Sequence, residues 1–363
     1  MARPVRARLD WSALRHNPGV VRQHPGQSRI WSVVKADAYG HGLLGAARAL
    51  SEVTDGFALV ELEGALELRE AGFRHPILML EGPYRADDIA LCAELELIPV
   101  LHTRWQVEAL IEARLPRRQP IYLKLNTGMN RLGFDGDEFA AVLDRLVAAD
   151  CLEAVTLMTH FADADEARGI AFQMQRFASM TARRALPASL ANSAAILRFP
   201  ESHADWVRPG IMLYGSSPYP AMETAAQIGL RPVMTLESEL IAVRSLASGD
   251  TVGYGSSFVA DRPLRVGIVA CGYGDGYPRH APTGTPVNVA GCRTRTLGRV
   301  SMDKICVDLT DLPPQVGVGA TATLWGGEGE GHLAADEVAR AAGTVAYELF
   351  CALAARVPIE EID

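Results

Sequence analysis

The chain has 363 residues, of which 48% are hydrophobic and 21% are charged, and its net charge is -8. This composition favours a folded protein larger than one ordinary domain over a disordered chain. The acidic balance argues against a nucleic-acid or membrane-surface protein, and no apolar run reaches the roughly 18 residues of a membrane-spanning helix. Since no secretory signal is visible, we expect a cytoplasmic protein.

Short apolar runs alternate with helical patterns over the first two-thirds of the chain. Apolar strands between helices are typical of a parallel sheet covered on both faces. About eight such units predict an α/β fold, a (β/α)8 barrel rather than an open doubly wound sheet. The expected strands are 30–34, 57–60, 77–80, 98–101, 121–125, 154–158, 189–191 and 205–207, and the expected helices are 41–50, 61–71, 86–95, 103–113, 137–149, 166–186 and 194–199.

Long β-rich runs punctuated by Gly and Pro begin after the barrel pattern. Strands are expected at 233–246, 264–271, 286–290, 294–297, 305–309 and 320–325, and a helical pattern returns only at 334–342. We therefore predict a barrel domain over 9–228 and a mostly β domain over 229–363.

Residue counts narrow the chemistry. The six Cys and nine His form no CxxC, HxH or HxxxH pair, which predicts buried free thiols and no metal site. Only three of the 35 basic residues are lysines, namely Lys35, Lys124 and Lys304. A coding bias toward Arg explains the surface, but Arg cannot supply a deprotonatable amine, so each Lys is a candidate for chemistry.

Two of these lysines lie at the carboxyl ends of predicted barrel strands, where such barrels build their active sites: Lys35 directly follows 30–34, and Lys124 lies inside 121–125 between apolar neighbours. Lys35, in VVKADAYGHG, is a candidate base or Schiff-base lysine, and the alternative is a rim lysine paired with Asp37. Lys124 and Arg131 lie in LKLNTGMNRLG. A buried lysine is costly unless it is paired or modified, and Arg131 can point into the same mouth, although an Arg after a strand is commonly structural.

Polar residues also follow the later strands. Ser193, in NSAA, stands near a helix start, where a hydroxyl and backbone N–H groups can hold a phosphate. Gly210, in RPGIMLYG, permits close backbone approach, and phosphate sites favour the loops after the last strands. The plainer alternatives are a helix cap for Ser193 and a core histidine for His160.

The β domain contributes three loops, VGYGSSF, GYGDGYPR and GRVSMD. Aromatic residues set among glycines are poor core formers, so Tyr254 and Tyr273 are candidates to face a ligand. Ordinary β-turns are the alternative for each loop.

Together with HFA, these segments resemble the bacterial alanine racemases, which use pyridoxal 5'-phosphate, and the resemblance extends from Ala7 to Val357. It implies an N-terminal (β/α)8 barrel and a C-terminal β domain with which residues 1–8 pair. It also implies a head-to-tail homodimer with composite active sites. The implied reaction is the interconversion of L-alanine and D-alanine.

The resemblance assigns roles to residues at matching positions. Lys35 is the implied Schiff-base lysine, and Tyr254, which reaches the other subunit's site, is the implied second base. Because racemisation needs proton exchange on both faces of the substrate carbon, the two alternate as acid and base. Arg208 faces the pyridine nitrogen of the cofactor, beside His160, and should leave that nitrogen unprotonated. The implied phosphate contacts are Tyr39, Ser193, Gly210, Ile211 and Tyr347.

At the substrate end, Arg131 lies near the cofactor hydroxyl and the substrate carboxylate, which the Met302 backbone also contacts. Lys124 matches a lysine that is often carbamylated in the family, and the added carboxylate would pair with Arg131. The residues implied to line the access corridor are Asp165, Tyr273, Arg279 and Arg299.

The chain departs from the family pattern at two places. RVP at 356–358 is followed by IEE instead of another Arg, and Gly274 stands where Ala is more usual. The first departure puts in doubt a contact of the missing Arg, and the second is a minor change.

Three rival functions are weighed against this one. They are a broad-specificity or serine/lysine-type racemase of the same fold, a decarboxylase of the same fold type, and a cofactor-carrying protein built on the barrel alone. The missing signal peptide and disulfide-forming Cys disfavour a secreted broad-specificity form. The Tyr254 motif disfavours the other two, and the choice between a biosynthetic and a catabolic role stays open.

Overall fold

The computed structural model describes residues 3–24, 26–181 and 184–363. These residues divide into two compact units. The barrel unit comprises the described residues of 15–38 and 42–213, and the β unit comprises those of 1–14, 39–41 and 214–363. The β unit is thus assembled from three stretches of chain, and the domain bounds 9–228 and 229–363 remain a prediction.

The barrel unit contains a closed barrel of eight parallel strands, which confirms the predicted fold. The first strand of the chain, β1 (Arg6–Asp10), belongs to the β unit. The barrel strands are β2 (Arg29–Val33), β3 (Gly56–Leu59), β4 (Ile77–Met79), β5 (Leu97–Leu101), β6 (Gln119–Lys124), β7 (Leu152–Met158), β8 (Ala188–Asn192) and β9 (Trp206–Arg208).

Burial explains why these short runs form a barrel. Every residue of β3, β4 and β9 is buried, as expected for parallel strands covered on both faces. Strand β9 pairs with β2, where Ile30 stands opposite Val207, and this pairing closes the barrel. Inside it, Trp31 stacks on Trp206 with the ring centroids 4.1 Å apart. The carboxyl ends of all eight strands therefore share one rim, at which the polar candidates are collected.

The helices are α1 (Trp11–Arg22), α2 (Lys35–Gly40), α3 (Leu43–Leu50), α4 (Leu62–Glu70), α5 (Asp88–Glu94), α6 (Arg104–Glu112), α7 (Gly136–Ala148), α8 (Ala171–Thr181), α9 (Ser193–Arg198), α10 (Ala225–Ile228), α11 (Ala335–Ala342) and α12 (Ala346–Cys351). The helix expected over 166–186 begins only at Ala171, because Arg198 binds the carbonyls of Ala164 and Glu166 and holds the preceding segment in turns. Residues 182 and 183 of that expected helix lie outside the described residues.

The β unit is built on an eight-stranded sheet in which β1 lies between β10, antiparallel, and β18, parallel. Its register places Ala7 opposite both Leu236 and Ile359. The remaining strands of the unit are β10 (Met234–Leu246), β11 (Thr251–Val252), β12 (Phe258–Val259), β13 (Leu264–Val269), β14 (Pro286–Val289), β15 (Cys292–Arg295), β16 (Ile305–Asp308), β17 (Thr321–Trp325) and β18 (Ile359–Ile362).

Two expectations were wrong in detail. Helical structure does not return only at 334–342, since α10 precedes it and α12 follows it; helices of four and six residues are too short to show a clear period. The thiols are not all buried, because Cys351, at the end of α12, is exposed. In the described part of the chain, no group of three or more His, Cys, Asp or Glu could hold a metal ion, and no helix is long and apolar enough to cross a membrane.

Candidate active site

Lys35 follows β2 by two residues, at the carboxyl end of the barrel, and opens an unusual turn. Ala36, Asp37, Ala38 and Tyr39 all have φ between 52° and 55°, so α2 is left-handed. Each such L-residue costs about 1–2 kcal/mol relative to the right-handed form. Strain of this kind persists only where the surroundings fix it, and it is concentrated at functional sites.

The turn is held by carboxylates that bind backbone amides. Asp37 Oδ1 accepts a hydrogen bond from the Leu43 amide at 2.7 Å, and Glu61 Oε1 accepts one from the Ala36 amide at 3.0 Å. Lys35 has no ion pair with Asp37 or with any other described carboxylate. The alternative of a rim lysine paired with Asp37 is therefore wrong, because the Asp37 carboxylate binds the Leu43 amide instead.

Tyr39 is buried within the β unit. Its ring stacks on Tyr214 with centroids 4.7 Å apart and lies 5.7 Å from the Tyr347 ring. Burial, and then the neighbouring Tyr347, raise the pKa of Tyr39 far above its usual value, so its hydroxyl stays a hydrogen-bond donor. The next residue must be Gly: a Cβ on Gly40, whose φ is +75°, would stand 2.3 Å from the Phe350 carbonyl oxygen.

Arg208 ends β9 and is buried in the barrel unit. Its Nη1 donates to the Ser189 carbonyl and hydroxyl at 2.7 and 2.8 Å, and its Nη2 donates to the Thr159 carbonyl at 2.8 Å. Burial lowers the pKa of Arg208 to about 10, so the guanidinium is still charged at neutral pH. Its partners are neutral, which leaves this positive charge uncompensated within the described residues.

His160 lies beside this guanidinium, with Nδ1 3.4 Å from Arg208 Nη2. Burial, reinforced by the positive charges of Arg208 and Lys124, holds the pKa of His160 well below its usual range. A neutral imidazole can accept from Arg208, which an imidazolium could not do. His160 is thus a neutral hydrogen-bond acceptor beside Arg208 and not a further cation.

Ser193 and Gly210 lie together after β8 and β9. The Gly210 amide donates to Ser193 Oγ at 2.9 Å, and Ile211, the next residue, is buried. Ser193 is not the helix cap, because Asn192 accepts from the Ala195 amide and caps α9. The Ser193 oxygen accepts from the Gly210 amide, so its own proton is left to donate to an anionic group at the start of the following loop.

Lys124 is the last residue of β6 and is only 6% exposed. Its side-chain amine forms no hydrogen bond or ion pair with the described residues. Burial, followed by the charges of Arg208 and Arg131, lowers the pKa of Lys124 to about 8, and Glu81 offsets a part of this effect. An unpaired amine this close to guanidinium groups is the environment in which loss of the positive charge is favourable.

The barrel mouth thus gathers four cationic side chains, those of Lys35, Lys124, Arg131 and Arg208. All four lie near His160, since burial lowers the pKa of this histidine and each of the four positive charges lowers it further. None of them has an ion pair within the part of the chain that the structure describes. A site with this excess of positive charge is suited to an anionic ligand.

The β unit exposes the other candidates. The exposed fractions of Tyr254 and Met302 are 69% and 52%, and Tyr273 is 37% exposed. Met302 and its neighbours pack on the Tyr273 turn, where the Tyr273 amide donates to the Ser301 carbonyl at 3.0 Å. The residues assigned to the access corridor are all exposed, and they are Asp165, Tyr273, Arg279 and Arg299.

Sequence reasoning missed one cluster in the β unit. Asp275, whose side chain is fully buried, pairs with Arg3 and Arg356. Asp275 stands within GYGDGYPR, and a lone Asp among glycines was a signal that could have been followed. Its partners lie more than 80 residues away in sequence, so no local pattern reveals them.

Both units match known protein families. Residues 9–218 match the alanine racemase N-terminal domain, and residues 233–360 match the alanine racemase C-terminal domain. The chain belongs to the alanine racemase family. Within that family, the chain is 50% identical to the catabolic alanine racemase of Salmonella typhimurium, and the match covers 99% of each protein.

Solved alanine racemases share the fold of this chain. The biosynthetic alanine racemase from Pseudomonas aeruginosa superposes with a TM-score of 0.94 at 45% identity, covering 99% of this chain and 100% of that one. The alanine racemase from Bartonella henselae, solved with covalently bound pyridoxal phosphate, has a TM-score of 0.88 at 28% identity and covers 99% of both chains. Similar relatives therefore include both biosynthetic and catabolic enzymes.

The departure from the alanine racemase pattern at the C-terminus has a structural role of its own. The IEE segment begins β18, which pairs with β1. Glu361 accepts a hydrogen bond from Trp11 Nε1 at 3.1 Å, and Glu360 lies 3.5 Å from Arg6 Nε. These acidic residues anchor the N-terminal strand.

Proposed function

We propose that this chain interconverts L-alanine and D-alanine by a two-base mechanism with pyridoxal 5'-phosphate as its cofactor. Racemisation of alanine is the activity of the family to which the chain belongs. The observation that carries the finer proposal is the cluster of uncompensated cations at the barrel mouth, with Lys35 directly after β2.

The residues present fit this cofactor. Its phosphate needs hydroxyl and amide donors, which Ser193, Gly210 and Ile211 would supply, with the hydroxyls of Tyr39 and Tyr347 completing the set. When bound, pyridoxal phosphate withdraws electrons from the substrate Cα, so that the carbon can lose its proton.

Arg208 would face the pyridine nitrogen of the cofactor. A guanidinium cannot accept a proton and is a poor proton donor, so it favours the unprotonated nitrogen. Its bonds to Ser189 and Thr159 hold the group in place. The neutral His160 beside it supports the same orientation by accepting from the guanidinium.

The two bases would be the Lys35 amine and the partner subunit's Tyr254. Each moves a proton to or from the substrate Cα, and each alternates between acid and base as the direction of reaction changes. The substrate carboxylate would be bound by Arg131 and by the backbone of Met302. Carbamylation of Lys124 would convert an unpaired buried amine into an anion that pairs with Arg131.

Lys35 can be tested by replacement with Ala. The K35A variant is expected to lose racemase activity, measured as the decay of the circular dichroism of L-alanine, and to lose the visible absorption of the covalently attached cofactor. Lys304→Ala is the matched control, since this lysine is exposed, and it should keep both. Retention of the visible band by K35A would overturn the assignment.

The composite dimer site can be tested by mixing two inactive variants. Lys35→Ala and Tyr254→Phe subunits, exchanged at equal amounts, form hybrid dimers in which one of two sites has both native bases. Statistically about a quarter of all sites are then intact, and activity should recover to that extent. Failure of exchanged subunits to recover activity would reject a site shared between subunits.

Substrate breadth separates this function from the broad-specificity racemases. A panel of L-amino acids should give alanine the highest kcat/KM, with serine and lysine far behind. A cytoplasmic location and the choice between a biosynthetic and a catabolic role stay predictions that assays in the cell must decide.

A further inference from the structure

The buried Asp275 joins the two ends of the β unit through a bidentate and a single ion pair. Arg3 Nη1 and Nη2 lie 2.6 and 2.9 Å from its two carboxylate oxygens, and Arg356 Nε lies 2.8 Å from Oδ1. The Gly272 amide donates to Oδ2 at 2.9 Å. The side chain of Asp275 is fully buried. Burial acts to raise the pKa of Asp275, but the hydrogen bonds from Arg3 and the Gly272 amide together outweigh it and hold this pKa below its usual value.

Arg356 continues from this carboxylate to the Met302 loop. Its Nη2 donates to Asp303 Oδ1 at 2.7 Å and lies 3.4 Å from the Met302 carbonyl oxygen. The Gly274 amide also donates to that carbonyl, at 2.9 Å. The peptide that follows Met302 is thus held by a charged group and by an amide.

The peptide group between Ser301 and Met302 is held through its carbonyl oxygen. The Tyr273 amide donates to the Ser301 carbonyl at 3.0 Å. Since the peptide is trans, the Met302 N–H points the opposite way, and it donates to no group among the described residues. Met302 therefore presents a free amide from a backbone that is fixed on both sides.

Gly274 leaves the space that Arg356 occupies. A Cβ at this position would stand 2.5 Å from Arg356 Nη2 and 3.1 Å from Met302 Cγ. The close approach of the guanidinium therefore depends on the absence of a side chain at Gly274, a position that the sequence analysis treats as a minor departure.

We propose that Arg356 is a positioning residue that holds the Met302 amide in the orientation in which it binds the substrate carboxylate. Asp275 orients the guanidinium by pairing with its Nε, which leaves Nη2 for the Met302 loop. The inference rests on the proposed function, in which Met302 contacts that carboxylate.

Arg3 provides a matched comparison for a purely structural role. Both arginines pair with Asp275, and Arg3 Nη2 also lies 3.9 Å from Asp303 Oδ1. Arg356 alone of the two donates a hydrogen bond to Asp303 and to the Met302 carbonyl. If the cluster merely stabilises the unit, Arg3→Gln and Arg356→Gln should have the same consequences. If Arg356 positions the loop, the two variants should differ at Met302.

The experiment compares R356Q, R3Q and wild-type holoenzyme by hydrogen exchange of the 300–304 amides, by steady-state kinetics and by thermal unfolding. We expect faster exchange at these amides in R356Q alone. We also expect its KM for alanine to rise about tenfold, which corresponds to about 1.4 kcal/mol, with kcat little changed, because the carboxylate contact exists in both ground and transition states.

Equal exchange and equal KM in R356Q and R3Q would overturn the proposal. If R356Q does not fold, Gly274→Ala displaces the same guanidinium without removing its charge, and it should show the same faster exchange. A wild-type enzyme without alanine racemase activity would refute the proposed function instead, and the exchange comparison would still decide whether Arg356 holds the loop.

Discussion

Lys124 allows a quantitative test of the electrostatics at the barrel mouth. The side chain is only 6% exposed and has no described partner, and burial lowers its pKa from 10.5 to about 8. A charged ammonium in this position destabilises the folded protein. Replacement by Met, which has a similar length and no charge, should therefore increase stability at neutral pH.

The size of the gain follows from the two pKa values. The difference between 10.5 and about 8 corresponds to about 3 kcal/mol at about 1.4 kcal/mol per pH unit. The unfolded chain binds the proton more tightly, so this penalty is complete below pH 8 and is relieved as the pH rises toward 10.5. The advantage of K124M should fall from about 3 kcal/mol at pH 7 to about 1.4 kcal/mol near pH 9.5.

The assay is urea unfolding of wild type and K124M at both pH values, in buffer freed of carbon dioxide. Lys304→Met is the control, because this lysine is exposed and its replacement should not change the midpoint. If K124M is no more stable than wild type at pH 7 under these conditions, the electrostatic reasoning is refuted.

Bicarbonate extends the same experiment to carbamylation. A carbamate on Lys124 would remove the penalty and add an anion beside Arg131 and Arg208. Added bicarbonate should then stabilise wild type and leave K124M unchanged. An equal response of the two proteins would argue against the modification.

Two further predictions concern the β unit. Gly40→Ala should cost about 2–4 kcal/mol of stability, because φ is positive at this residue and the new Cβ would stand 2.3 Å from the Phe350 carbonyl oxygen. Thermal unfolding should show a much smaller loss for Gly249→Ala, where φ is also positive but a Cβ would have no atom within 4 Å. The pKa of Asp275 is held below its usual value. The stability that this carboxylate contributes is therefore complete above the ordinary Asp pKa and is lost as the pH falls through the lowered pKa of the folded state. Acid titration should narrow the stability difference between wild type and Asp275→Asn, and a difference independent of pH would contradict this reasoning.

Local sequence was sufficient for the barrel and for placing the polar candidates at the ends of its strands. The barrel strands are near-continuous apolar runs, because both faces of a parallel sheet are buried, and the polar residue after each run marks the rim. Strands β1 and β18 were not predicted as strands, because their stability comes from tertiary pairing and not from a local apolar pattern. Strand β1 alternates buried and half-buried residues, whereas β18 is largely exposed along its length. Strand β18 is held by its pairing with β1, which in turn pairs with β10, so the tertiary partners and not the local pattern specify these strands.

The sequence by itself determined the fold class, through the alternation of apolar runs and helical patterns along the first two-thirds of the chain. It also determined the family resemblance and the position of Lys35, through residue types within short segments. Tertiary structure decided what those residues experience. The lowered pKa of Lys124 and the neutral state of His160 arise from burial and from charges far apart in the chain. The same holds for the contact between Arg356 and Met302, which depends on a space left by Gly274. The physical reason is that burial and electrostatic effects depend on distances between groups in the folded protein, and separation along the sequence does not give these distances.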